Sequence, residues 1–170
     1  MSEQGREPAA AAAVLAVLFE RGLTLAVAES LTGGLLSAAI VRVPGASRVF
    51  LGGIVAYNTA LKQSLLDVDG ALLAEHGPVH PEVAAQMARS VRHRLAVDGR
   101  EADVGLSTTG VAGPGPQDGQ PAGTVYIGIS IGKSTRTLKL CLEGTRDTIR
   151  ESVVSELLAE VELQLAHTSS

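Results

Sequence analysis

The 170-residue chain has a single cysteine, Cys141, no tryptophan, and only two phenylalanines and two tyrosines, Phe19, Phe50, Tyr57 and Tyr126. One cysteine cannot form an intramolecular disulfide or a zinc site made of several thiolates. This thiol poverty fits a reducing, cytoplasmic location. So few aromatic rings, scattered singly, cannot build a base-stacking platform. Basic charge is also short: the formal net charge is -4, so no positive field gathers DNA or RNA. The apolar stretch at 9–19 is far below the roughly 20 residues needed to span a bilayer. Glu3 and Glu7 before it and Glu20-Arg21 after it fit an alanine-rich helix rather than a secretory signal. Nucleic acid and membrane are therefore not expected partners.

Metal ligands are scarce as well. His76 and His80 have the i, i+4 spacing of a helical zinc pair, but Gly77-Pro78 interrupts them and no glutamate follows the first histidine. His93 lies among arginines and His167 in what reads as a tail at 166–170, so no metal is expected.

What the chain does have is apolar residues at 45%, charged residues at 19%, and 19 glycines, a profile suited to one globular domain. After a polar lead-in at 1–8, a helix is predicted to about Arg21, with Gly22 as its C-terminal cap. Residues 23–28 read as a buried strand, and the segment from Glu29 turns into a second helix that Pro44-Gly45 stops. A strand at 49–57 and a helix at 58–66 follow. Pro81 opens a longer helix in which Val83, Met87, Val91 and Leu95 form one buried face. A strand at 103–109 leads into a Gly- and Pro-rich loop at 110–123, long enough to be functional. The strands at 124–131 and 135–142 form a hairpin, and a last helix starts with Thr145 as N-cap. Alternating helices and strands closed by a hairpin predict a single-domain α/β fold, a three-layer α/β/α sandwich with a mixed sheet, over 9–165.

Three loops carry candidate chemistry. In Ala28-Glu29-Ser30-Leu31-Thr32-Gly33-Gly34 a strand runs into a helix, which exposes a serine hydroxyl and backbone N-H groups suited to a phosphate or an oxyanion. On spacing alone, a helix cap accounts for Ser30 better than a nucleophile does. The second segment runs from Gly52-Gly53 through Tyr57 to Lys62. A partly buried lysine there, pushed towards neutrality, can serve as a serine's base, while a solvated helix lysine is the ordinary alternative. In Ser107-Thr108-Thr109-Gly110-Val111-Ala112-Gly113-Pro114, hydroxyls and N-H groups could cradle a phosphate or an amide, although the spacing fails the dinucleotide fingerprint. Arg146 and Arg150 read as an exposed pair opening the last helix, either able to meet a phosphate bidentately.

Together with Pro121-Ala122-Gly123-Thr124-Val125 and Gly144-Thr145-Arg146, these segments resemble the C-terminal domain of the CinA family, the competence/damage-inducible proteins. Stand-alone members of that family include nicotinamide mononucleotide deamidase. The likeness runs from about residue 23 to residue 158. It implies an amidohydrolase without metal or cofactor that converts nicotinamide mononucleotide to nicotinate mononucleotide and ammonia. Ser30 matches the family's nucleophile, Lys62 its base and Tyr57 the nearby tyrosine. Substrate contacts would come from Thr32, Gly33, Gly34, Gly53, Thr109, Gly110, Gly113 and Arg146, with the oxyanion held by backbone N-H groups around Thr32 to Gly34 or at Thr109-Gly110. The same resemblance implies a homodimer acting on a small nucleotide. Leu31 stands where cysteine is frequent, and His80 replaces the usual serine in a Gly-x-Val-Ser segment, which puts local substrate contacts in doubt. The family's N-terminal molybdopterin-binding-like domain is not part of the sequence, so a stand-alone deamidase is expected. A nucleotide-binding module without turnover is the alternative.

Overall fold

The computed structural model describes residues 6–167. Helix α1 (Arg6–Arg21) leads to β1 (Leu25–Glu29), α2 (Leu35–Val41), β2 (Phe50–Val55), α3 (Thr59–Leu66), α4 (Gly70–His76) and α5 (Pro81–Arg94). Then come β3 (Val104–Gly110), β4 (Thr124–Ile131), β5 (Ser134–Cys141) and α6 (Arg146–His167). Helix α1 already covers residues read as lead-in, and α6 runs to His167, inside the stretch read as tail. Residues 1–5 and 168–170 of those two stretches lie outside the described residues. Helix α4 is additional to the elements read from sequence. It is a single short segment begun by Gly70 and capped by the Asp69 side chain, too brief to show a period.

The sheet order is β2-β1-β3-β4-β5. β1 pairs parallel with both β2 and β3, and the hairpin strands β4 and β5 continue antiparallel, so the sheet is mixed as the pattern predicts. Chain alternation sets the two faces. Leu25 and Val27 of β1 join the core built with α1, α2 and α6, while Ala26 and Ala28 join the core with Leu66, Val83, Met87 and Val91. The result is the expected three-layer sandwich.

Helix α5 packs closely on the sheet where the strands beneath it carry glycine or small side chains. A Cβ on Gly105 would fall 2.0 Å from the Ala88 carbonyl oxygen, and one on Gly128 would fall 2.5 Å from that of Ala84. The Ser107 hydroxyl between them donates to the Ala84 carbonyl at 2.6 Å. Gly105→Ala should therefore push α5 off the sheet and cost about 1–3 kcal/mol, the range of overpacked cores. Urea denaturation midpoints of the two proteins measure this loss.

Candidate active site

The topology brings the three loops together. Strands β2, β1 and β3 are adjacent and parallel, so their carboxyl ends open on one edge. The connection from β1 leads to β2 on one side while β3 lies on the other, and the crevice at such a switch point is where open α/β sheets place ligands. Ser30 stands in this position. Its N-H continues the ladder to the Thr108 carbonyl at 3.0 Å, and Ala56 N-H does the same to the Glu29 carbonyl at 2.8 Å.

Ser30 does not cap α2. The cap position is Gly34, in left-handed conformation and without a side-chain bond. The helix start is satisfied by Glu29, which is fully buried and accepts from the N-H groups of Gly34, Leu36 and Ser37 and from the Ser37 hydroxyl, at 2.7 to 3.1 Å. The Ser30 hydroxyl is thus free for another partner. Lys62 Nζ donates to Ser30 Oγ at 2.9 Å and to the Ala56 carbonyl at 3.0 Å. Asn58 caps α3 through the Ala60 N-H, and from the first turn of that helix Lys62 points inward. Its side chain is 1% exposed, and Ser30 is 7% exposed. The reading of Lys62 as a solvated helix lysine therefore fails: burial pushes its pKa down from 10.5 to about 8.

The other candidate residues are placed as follows. Tyr57 follows Ala56, but its hydroxyl accepts from Arg146 Nη2 rather than meeting Ser30 or Lys62, and Arg146 Nη1 donates to the Gly113 carbonyl at 2.9 Å. Tyr57, Arg146 and Gly113 are thereby linked across three loops. Thr32 is buried, its hydroxyl 2.8 Å from that of Thr108. Gly33 N-H closes a turn on the Ser30 carbonyl at 3.0 Å, and Gly34 N-H is held by Glu29, so neither N-H is free to hold an oxyanion as the sequence reading had it. Gly53 serves close packing, because a Cβ there would fall 2.5 Å from Ser37 Oγ. Thr109 donates to the Pro78 carbonyl at 2.6 Å, and Gly110 leaves no room for a side chain against Thr124 and Val125. His80 has a local explanation: its Nδ1 accepts from Glu82 N-H and caps α5, the task a serine would perform there. Among the described residues no His, Cys, Asp and Glu side chains cluster as metal ligands, and no helix is long and apolar enough to cross a membrane.

The model of the CinA C-terminal domain matches residues 7–165. The chain belongs to this family. A CinA-like protein of Frankia casuarinae is 49% identical over 153 residues, which are 90% of this chain and 34% of the relative. The chain thus spans about a third of the length of the curated relatives it matches. Among solved structures, the competence damage-inducible protein A of Klebsiella pneumoniae superposes with a TM-score of 0.88 at 32% identity, covering 96% of this chain and 99% of that one. A CinA superfamily protein of Escherichia coli gives a TM-score of 0.87 at 29% identity, covering 98% of this chain and 93% of that one.

Three contributors in this CinA domain escaped the sequence reading. Glu29 ends an apolar strand, and a buried carboxylate in that position must find donors, which is the one signal that marks it. Thr108 accepts from Ser30 N-H through its hydroxyl at 3.3 Å. Arg150 is not an exposed companion of Arg146: its Nε donates to the Leu31 carbonyl at 3.0 Å and its Nη2 to the Thr32 carbonyl at 2.9 Å.

Burial of Lys62 also fixes a dependence of stability on pH. Its folded pKa of about 8 lies below the unfolded 10.5, so between these values the unfolded chain binds more protons. Stability from this group consequently rises with pH across that window, and below about pH 8 its burial costs up to about 3 kcal/mol. Lys62→Met removes the titration. The stability of wild type relative to this variant should climb between pH 8 and 10.5, as equilibrium denaturation at a series of pH values will show.

Proposed function

We propose that this CinA domain hydrolyses a linear carboxamide, that of nicotinamide mononucleotide, to the carboxylate and ammonia. The observation that carries the reading is the 2.9 Å contact between Ser30 Oγ and a buried Lys62 Nζ whose pKa has fallen to about 8. A neutral amine keeps a lone pair for the serine proton while still donating to the Ala56 carbonyl, which holds it in line.

Ser30 Oγ attacks the amide carbon as its proton passes to Lys62. Collapse of the tetrahedral adduct breaks the carbon-nitrogen bond, and Lys62 returns the proton to the departing nitrogen, leaving an acyl ester on Ser30 and free ammonia. Water then attacks the ester with Lys62 again as base, the carboxylate leaves, and Ser30 recovers its hydrogen. Arg146, at the start of α6 and beside Tyr57, supplies the guanidinium that suits the nucleotide's phosphate.

The test is ammonia release, with nicotinate mononucleotide as co-product, when the protein is incubated with nicotinamide mononucleotide. No ammonia from the wild type would reject the reading. The nucleotide-binding alternative is recognised by saturable binding of the mononucleotide, in calorimetry, without any turnover.

A further inference from the structure

Two residues of opposite charge grip the turn after Ser30 from its two sides. Glu29 takes N-H groups from its helical end, at Gly34, Leu36 and Ser37. Arg150, reaching from α6, takes the carbonyls of Leu31 and Thr32 with two parallel donors. Its third nitrogen, Nη1, lies 3.5 Å from Asp147, one turn earlier on the same helix. Engaged on two successive main-chain carbonyls and with its side chain only 24% exposed, this guanidinium is turned to the main chain rather than to a substrate, unlike the exposed Arg146.

The clamp fixes more than the carbonyls it touches. A trans peptide points its N-H opposite to its C=O, so holding the Leu31 carbonyl directs the Thr32 N-H away from α6. The Thr32 carbonyl, which also accepts from Leu35 N-H at 3.1 Å, aims the Gly33 N-H in the same way, and that N-H closes on the Ser30 carbonyl at 3.0 Å. The Ser30 carbonyl shares its peptide plane with the Leu31 N-H, which is thereby oriented too. The N-H groups of Leu31 and Thr32 are the ones in this turn with no hydrogen-bond partner among the described residues. The N-H following a nucleophile is also where a strand-turn-helix serine finds its oxyanion donor.

We propose that Arg150 is a positioning residue: by clamping the Leu31 and Thr32 carbonyls it fixes the turn so that the free N-H of Leu31, the residue directly after the nucleophile, is aimed at the oxyanion formed on attack by Ser30, and its charge polarises the peptides of the turn. This inference rests on the amidohydrolase reading. It makes Arg150 a contributor to the chemical step rather than to substrate affinity, because the oxyanion exists only after attack. Lysine has one point charge and can satisfy one carbonyl well, so it replaces arginine only in part.

The experiment uses Arg150→Met and Arg150→Lys in the full chain. With nicotinamide mononucleotide, Arg150→Met should lose about 30- to 100-fold in kcat with KM within about threefold, somewhat less than deletion of an oxyanion donor. Arg150→Lys should retain an intermediate kcat. A second measurement, independent of that substrate, is the rate of Ser30 labelling by an alkyl fluorophosphonate, followed by mass spectrometry. There the Ser30 oxygen bonds to phosphorus, fluoride leaves, and Lys62 takes the hydroxyl proton. Labelling of folded Arg150→Met should slow at least tenfold against wild type, with folding verified by circular dichroism. Unchanged labelling of a folded Arg150→Met, or a loss confined to KM, overturns the positioning role while leaving Ser30 as nucleophile. Absence of any Ser30 adduct in the wild type would instead remove the amidohydrolase reading on which this role depends.

Discussion

On the proposed reading, Ser30→Ala and Lys62→Met should each reduce the release of ammonia from nicotinamide mononucleotide by about 10³-fold or more, for different reasons. The first removes the attacking oxygen. The second leaves that oxygen in place and takes away the proton acceptor 2.9 Å from it. Because they act on one step, the double variant should be scarcely slower than either single one. The wild type carries a further signature. With the lysine pKa at about 8, roughly a tenth of the protein holds a neutral lysine at pH 7, so kcat/KM should rise nearly tenfold per pH unit below that value and level off above it. A rate profile flat between pH 6 and 9 would speak against Lys62 as the base. The variant pair separates function from folding: Lys62→Met should be inactive yet no less stable than wild type at pH 7, since it relieves a buried cation.

Glu29→Ala should be the most destabilising substitution around the site, by about 3–5 kcal/mol in urea denaturation. The carboxylate is fully buried, and its loss strands the N-H groups of Gly34, Leu36 and Ser37 at the start of α2 together with the Ser37 hydroxyl. Each orphaned donor costs about 1–3 kcal/mol, only partly offset if water enters the space the side chain leaves. Glu29→Gln retains one acceptor oxygen but turns an NH₂ group towards backbone donors, so it should fall between wild type and alanine. Equal stability of all three proteins would mean that the turn is held by other contacts.

Much of the fold was legible because it follows from local chemistry. Period-four apolar residues from Val83 to Leu95 marked the helix found at Pro81–Arg94, and Thr145 as a cap marked the start of the last one. The Gly132-Lys133 turn joins strands paired from Ile131 and Ser134 onward, one residue tighter than the spacing implied. The site was legible unevenly. Ser30 and Lys62 are 32 positions apart, and no periodicity links them; serine-lysine chemistry made the pairing possible, and the family resemblance was needed to prefer it over a cap and a solvated lysine. Spacing made Ser30 a cap because serine commonly caps helices, and it could not reveal that a glutamate one residue earlier already performs that role. Arg150 lies 118 positions from Thr32 and looked like any charged residue on the first turns of a helix. Roles that depend on contacts across the sheet have no local sequence signal.

The distance along the chain between Ser30 and its clamp has a consequence for assembly. The serine and its lysine lie within the first 62 residues, on elements that neighbour one another, but the turn bearing the serine is completed only when α6 docks over it. A polypeptide cut before residue 146 would carry nucleophile and base without the guanidinium that fixes the peptides between them. If Arg150 acts as proposed, activity would therefore depend on the docking of the final helix as well as on the first half of the chain.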